Sequence, residues 1–132
     1  MEMSLIRKIT IMIATFVCLS SQYSLASNHR LVVVTAAGDE FYFDPTTVSR
    51  TGDVVSVDVL MSYGHADPFN KAWSSVQNTK FDCKTKEFQI MNDKFFSQKM
   101  GKGKVVQASN WPMPKFEAPE GSTWRMVLEL VC

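Results

Sequence analysis

The sequence has few of the side chains that carry catalysis or bind metal ions. Its 132 residues include two histidines and three cysteines, and these do not show the ligand spacing of a zinc site. No glycine-rich phosphate loop precedes a helix, and no serine has a base at a motif spacing. His65 and Asp67 could share a site, but such residues in a loop are usually only solvated. We therefore predict that the protein is not an enzyme and has no catalytic residues, metal site or cofactor.

The sequence also lacks a strong net charge, although its charges are unevenly distributed. The formal net charge at pH 7 is +1. Residues 39–67 contain six acidic residues and one basic residue, whereas residues 80–104 contain seven lysines and three acidic residues. A basic segment attracts anionic macromolecules, but lysines at strand edges also keep small β proteins from pairing edge to edge. Both interpretations stay open.

No apolar run has the length of a permanent membrane span. The run at residues 9–19 follows Arg7 and Lys8 and is shorter than the ~20 residues that a spanning helix needs. Small residues at 24 and 26 then suit a signal-peptide cleavage site. We predict that residues 1–26 are a cleaved signal peptide and that residues 27–132 form one domain without a transmembrane segment. The protein would be periplasmic, or secreted to the cell surface, and export argues against nucleic acid as a partner.

The cysteine count points to one disulfide bond. Removal of the signal peptide takes Cys18 with it and leaves Cys83 and Cys132. In an oxidising compartment two such thiols are expected to pair. The chain-entropy model gives this crosslink roughly 4 kcal/mol of stabilisation. Both thiols would then be unavailable as nucleophiles.

Alternating apolar and polar residues predict an antiparallel sheet of about five to six strands. Within residues 54–63, Val55 and Val57 point to one face and Ser56 and Asp58 to the other, as in a sheet that is buried on one side. Asn92 and Asp93 are typical turn residues and predict a hairpin turn. Loops or turns are predicted at 64–70 and 101–103, and further strands at 31–35, 40–43, 73–90 (one long or two short), 94–100 and 104–108, with a short strand at 48–50 left open.

The last segment, residues 123–132, fits either a helix or a strand. Trp124, Val127 and Leu128 recur at helical spacing, whereas Trp124, Met126 and Leu128 also alternate as in a strand. Ser122 is a good N-cap, and the preceding segment is rich in proline, with Trp111 expected to pack against the body of the domain. These features favour a helix.

Aromatic residues suggest a second function. Six of them could line a groove for an apolar or haem-like ligand or form a protein-contact patch, or could simply be core: Trp73, Phe95, Phe96, Trp111, Phe116 and Trp124. Adjacent strand residues face opposite ways, so one of Phe95 and Phe96 is expected on the less buried face. The alternative function is therefore a periplasmic carrier that holds a small apolar ligand between the sheet and the C-terminal segment.

A set of landmarks in the mature chain resembles the surface-adhesin protein E family. They occur in order over nearly all of residues 27–132: Phe41-Tyr42-Phe43-Asp44-Pro45 with Val48, Arg50 and Gly52, then Phe81-Asp82-Cys83-Lys84, Met100-Gly101 with Gly103, Trp111, Gly121-Ser122 and Val131-Cys132. The resemblance implies an α+β fold, in which a disulfide ties a short C-terminal helix to an antiparallel sheet. It also implies export and adhesion to extracellular-matrix proteins of a host.

Our leading hypothesis is an exported, non-enzymatic, adhesin-like protein that contacts a host or envelope macromolecule. It would use an exposed sheet face or the basic hairpin. An edge strand would allow a dimer, but no feature of the sequence requires one. The candidate contact residues are Lys84, Lys86, Lys94, Phe96, Lys99 and Lys102.

Overall fold

The computed structural model describes residues 28–132, so the predicted signal peptide and its cleavage site lie outside the described residues. The described chain contains an eight-stranded antiparallel sheet, two short 3-10 helices and one α-helix. The strands are β1 (Arg30–Val34), β2 (Glu40–Phe43), β3 (Ser49–Thr51), β4 (Val54–Ser62), β5 (Ser74–Asp82), β6 (Glu87–Phe96), β7 (Val105–Ser109) and β8 (Phe116–Glu117), and the helix α1 is Thr123–Val131. The 3-10 helices are Pro45–Thr47 and Lys99–Gly101.

The expected five to six strands were too few. The main path of the sheet has the order β1-β2-β4-β5-β6-β7, and the short strands β3 and β8 pair with β4 and β6 beside this path. β8 has two residues and follows a proline-rich segment. A strand of that length shows no alternating pattern, and its pairing with β6 becomes evident only in the fold.

The β5–β6 hairpin turns earlier than predicted. Its turn lies at residues 83–86, where Asp82 Oδ1 accepts hydrogen bonds from the Lys84 and Thr85 backbone N–H groups. The prediction of a hairpin turn at Asn92-Asp93 was wrong, because both residues lie within β6. The register between the two strands shifts there, with Asn78 opposite Asn92 and Thr79 opposite Ile90. β6 thus carries a bulge where a turn was expected.

The core lies between one sheet face and α1. Val127 and Leu128 are fully buried against strand residues that include Phe81, and the Trp124 ring stacks on Phe88 with 4.6 Å between centroids. Ser122 Oγ accepts a hydrogen bond from the Arg125 backbone N–H at 3.2 Å and so caps the helix. The predicted helix is confirmed.

The C-terminus is fastened by the expected disulfide. Cys83 and Cys132 are bonded, with 5.6 Å between their Cα atoms. The bond joins the end of α1 to the β5–β6 turn, so the helix is held over the part of the sheet that contains Phe81 and Phe88. The α+β fold with a disulfide-tied C-terminal helix is therefore present.

The opposite sheet face is polar along most of its length. At one end the 3-10 helix Lys99–Gly101 covers it: Ser62 Oγ accepts from the Met100 N–H at 3.3 Å, and Ser74 Oγ from the Gly101 N–H at 2.8 Å. Leu60 is buried in the same place. Residues 28–132 contain no helix that is long and apolar enough to cross a membrane.

Candidate binding surfaces

A grid of polar side chains occupies the middle of the sheet face opposite α1. We call it the polar face, and it comprises Ser56, Asp58, Asn78, Lys80, Asn92 and Lys94. Asn78 Nδ2 donates to Asp58 Oδ1 at 3.0 Å and to Ser56 Oγ at 3.4 Å. These cross-strand bonds hold the amide and the carboxylate in place before any partner binds. Lys80 and Lys94 lie on the same face and are exposed.

A shallow groove lies at the edge of the polar face. It has a volume of about 240 Å³ and is lined by Val54, Lys80, Asp82, Glu87, Phe88, Gln89 and Lys115. A neighbouring depression shares Val54 and Lys80 and adds side chains of β3. Two lysines and two carboxylates line the groove, so it offers both donors and acceptors to a polar chain.

The predicted contact residues are divided between three places. Lys84 and Lys86 lie in the β5–β6 turn, beside the disulfide, and Lys94 lies on the polar face. Phe96, Lys99 and Lys102 lie at the other end of β6. Since β6 has ten residues, its two ends are roughly 30 Å apart. The lysines therefore do not form one patch, and only a partner of macromolecular size could contact all of them.

Lys80 was missed among the candidate residues. It belongs to the predicted strand 73–90, two positions after Asn78, and alternation would have placed both on one face. At the far end of the sheet, the Lys99 ammonium lies 5.5 Å from the centroid of the Trp73 ring, within the range of a cation–π contact. Phe96 is half-buried in the same region.

The six aromatic residues do not line a common groove. Trp124 stacks on Phe88 in the core, whereas Trp73 lies near Lys99 at the opposite end of β5. Trp111, which was expected to pack against the domain, is 83% exposed, so that prediction was wrong. Phe116 is partly exposed with its ring centroid 5.8 Å from that of Phe88.

The loop at residues 64–72 is held by its own hydrogen bonds. Asp67 Oδ1 accepts from the backbone N–H groups of Phe69 and Asn70 at 2.8 and 3.2 Å, which gives this carboxylate a structural role. His65 is exposed. Within the part of the chain that the structure describes, no three or more His, Cys, Asp or Glu side chains are grouped so that they could hold a metal ion.

Comparison with known proteins gives the family and the fold. The family model described as surface-adhesin protein E matches residues 31–132. Haemophilus influenzae protein E is similar in structure. The structure of its selenomethionine form has a TM-score of 0.62 at 14% sequence identity, and the match covers 86% of this chain and 92% of that chain. The structure of its crystal form II has a TM-score of 0.61 at 13% sequence identity, and the match covers 86% of this chain and 94% of that chain.

No curated protein sequence matches the chain significantly. The family match spans most of the chain and includes both disulfide cysteines. The similarity to the solved structures agrees with the family match in fold. At 13–14% sequence identity it gives no information about function. The chain belongs to the surface-adhesin protein E family.

Proposed function

We propose that this protein is exported and acts as a non-enzymatic, adhesin-like protein that binds a host or envelope macromolecule through the polar face. The observation that carries the proposal is the hydrogen-bonded grid of Ser56, Asp58 and Asn78, flanked by the exposed Lys80 and Lys94. Family membership supports the same function.

The polar face suits a macromolecular partner for an energetic reason. Binding orders side chains, and each flexible side chain that is immobilised costs about 0.5–1.5 kcal/mol. Asn78 and Asp58 are already held to one another by a hydrogen bond of 3.0 Å, so they lose less conformational freedom when a partner binds them. Lys80 and Lys94 then attract anionic groups and speed the encounter.

The outlying candidate residues extend this surface at both ends. Lys84 and Lys86 lie beyond one end of β6, and Phe96, Lys99 and Lys102 lie at the other. A partner that follows the sheet for roughly 30 Å would reach both groups. Small ligands would not, which favours a polymer or a protein.

Fractionation of the native host tests export and surface location. We expect the mature chain in the envelope, with a part accessible to antibody on intact cells. Recovery only from the soluble periplasm, with none at the surface, would contradict the adhesin role. Retention in the cytoplasm would contradict export itself.

A binding assay tests the polar face. The purified mature chain is applied to an immobilised, solubilised extracellular-matrix preparation, and Lys80→Glu/Lys94→Glu is expected to weaken binding about tenfold or more. Arg30→Glu/Lys71→Glu makes the same charge change at exposed positions outside the polar face and outside its proposed extensions and should bind as the wild type does. Equal loss in both double variants would mean that only net charge matters and that the polar face is not the site.

The carrier function is less well supported. It requires space between α1 and the sheet, where Val127, Leu128 and Phe81 are fully buried and Trp124 stacks on Phe88 at 4.6 Å. A ligand would have to displace these contacts.

A further inference from the structure

Two buried oxygen atoms without partners lie on the sheet face that carries α1, away from the core. Gln77 on β5 and Asp93 on β6 are directly opposite each other. Gln77 Oε1 and Asp93 Oδ1 are both buried, and neither has a hydrogen-bond partner among residues 28–132. The Gln77 side chain belongs to a residue that is only 7% exposed.

Such atoms are unusual because buried polar groups in native proteins nearly always have a partner. Both oxygens are acceptors, so in this arrangement neither can satisfy the other. A group that donated to both of them would remove the deficit. A positively charged donor would also neutralise the carboxylate, whose pKa is raised by burial and lowered to a smaller degree by the Ser109 backbone N–H.

The surroundings of this pair are acidic. The Tyr63 hydroxyl donates to Ser75 Oγ at 2.8 Å, and Ser75 lies on the same face of β5 as Gln77. Burial is the largest cause of the raised pKa of Tyr63; the Ser75 bond lowers it, and the charges of Asp67, Asp39 and Asp93 raise it further. The charges of three carboxylates, including Asp93, therefore act on this one hydroxyl.

Two exposed aromatic residues belong to segments that contact β7, the strand that pairs with β6 at Asp93. Phe69 and Trp111 are 94% and 83% exposed, the highest values among the large apolar residues of 28–132. Asn70, next to Phe69, donates from Nδ2 to Gln107 Oε1 at 3.1 Å. Ser109 Oγ, two residues further along β7, accepts from the Trp111 N–H at 3.3 Å.

Ser109 is itself the residue opposite Asp93. Both aromatic residues thus belong to segments that contact β7 within two positions of the Asp93 partner. Aromatic faces attract ammonium and guanidinium groups, and exposed aromatic residues are frequent anchors in protein interfaces.

We propose that Asp93 and Gln77, bordered by Phe69 and Trp111, bind a lysine or arginine side chain of a partner protein. An ammonium carries three N–H donors and no acceptor, which matches a carboxylate beside an amide oxygen. A calcium ion would require six to eight oxygen ligands, more than this pair supplies. The aliphatic stem of the side chain would lie against the aromatic rings. This site is on the other sheet face from the polar face, so its failure would leave the proposed function intact.

A titration followed by NMR tests the proposal. Short glycine peptides with a central lysine, arginine or norleucine are added to the mature chain, and the amide signals of residues 77 and 93 and the Trp111 indole signal are recorded. The lysine and arginine peptides are expected to shift these signals, and the norleucine peptide is not. If all three peptides act alike, the site does not recognise a cation. If free cadaverine binds about tenfold tighter than both basic peptides, the partner is not a protein side chain.

Variants locate the site. Asp93→Asn should weaken binding of the basic peptides about tenfold or more, since a hydrogen bond to a charged group is lost. Trp111→Ala should weaken it about threefold through the lost cation–π contact. Asp53→Asn makes the matched substitution in an exposed turn at the disulfide end and should leave binding unchanged. Equal effects of the two Asp→Asn variants would overturn the assignment.

A measurement on the wild type guards against misfolded variants. The Asp93 carboxyl carbon is titrated with and without the lysine peptide, and its pKa is expected to fall when the cation is bound. An unchanged titration would overturn the proposal. So would NMR evidence that the Gln77 side-chain NH₂ donates to Asp93, because the pair would then satisfy itself.

Discussion

The two ends of the sheet face that carries α1 are built in opposite ways. At the disulfide end, β5 and β6 contribute Phe81 and Phe88, which pack beneath Val127 and Leu128. At the other end, four to five residues along, the same strands place Gln77 opposite Asp93, and Gln77 Oε1 and Asp93 Oδ1 are without hydrogen-bond partners. The first end stabilises the fold, and the second is a local cost that folding alone does not explain.

This difference separates residues that support the structure from residues available for binding. A buried acceptor without a donor costs about 1–3 kcal/mol, and proteins commonly retain such costs where function requires them. Substitutions at the disulfide end should therefore destabilise the protein, whereas neutralising Asp93 should not. The predictions below test this contrast in order of decreasing effect.

The largest expected effect is that of Phe81→Ala. Phe81 is fully buried, and its ring lies 6.3 Å from both Phe88 and Trp124, centroid to centroid. Removing it deletes apolar contacts and leaves a cavity, so the free energy of unfolding should fall by about 3–5 kcal/mol. Denaturant unfolding measures this value. A loss below about 1 kcal/mol would mean that the core is not centred at this end.

Cys132→Ser should have the next largest effect. The disulfide joins residues 49 positions apart. Its removal releases the end of α1 in the folded protein and gives the unfolded chain more conformational freedom, so the free energy of unfolding should fall by about 2–4 kcal/mol. Thermal melting with and without a thiol reductant checks this. Reduction should lower the wild-type melting temperature and leave the variant unchanged. If neither the substitution nor reduction of the wild type lowers the melting temperature, the disulfide does not fasten the helix.

The disulfide end could largely be predicted from the sequence. Two cysteines in the predicted mature chain, the Ser122 cap and the alternation of Val55, Val57 and Val59 are local or compositional signals, and each has its expected structure. The predicted number of strands was too low, partly because β8 has no recognisable alternation of its own and becomes a strand by pairing with Phe88 and Glu87 of β6.

The other end could not be predicted, for a physical reason. Asn92 and Asp93 are turn-forming residues by local preference, yet long-range pairing with β5 places them in a bulged strand. Tertiary pairing overrode local propensity there. Trp111 was expected to be packed because large aromatic residues usually are, and it is exposed. The first error includes Asp93 itself, and the second falls two residues after Ser109, which lies opposite Asp93.

Ser122→Ala should have a smaller effect at the N-terminus of α1. Ser122 Oγ accepts from the Arg125 N–H at 3.2 Å, and loss of an N-cap typically costs about 1 kcal/mol. The change should add to that of Cys132→Ser if the two ends of the helix are fastened independently. Unfolding of both single variants and the double variant measures this. A double variant no less stable than Cys132→Ser alone would show that the cap depends on the disulfide.

Asp93→Asn should have the smallest effect and the opposite sign. Burial raises the pKa of Asp93, so the ionised form is disfavoured in the folded state. Near pH 3 the carboxyl is protonated in the folded and largely in the unfolded chain, and the variant and wild type should be about equally stable. As the pH rises through the unfolded and then the raised folded pKa, the wild type loses stability relative to the variant. At pH 7 the variant should be more stable by about 1 kcal/mol or less, because Asp93 is only partly buried and solvent screens much of the ionisation penalty. The amide NH₂ of the variant can also donate to Gln77 Oε1, a hydrogen bond that the carboxylate cannot make.

Unfolding of both proteins at pH 3 and pH 7 measures this difference, with Asp53→Asn as the exposed control that should change stability at neither pH. A loss of stability at pH 7 in Asp93→Asn would mean that the carboxylate has a stabilising partner within the protein. The two ends of the sheet face would then both serve the fold. A gain at pH 7, together with weaker binding of the basic peptides, would show that this carboxylate is retained for recognition at a cost in stability.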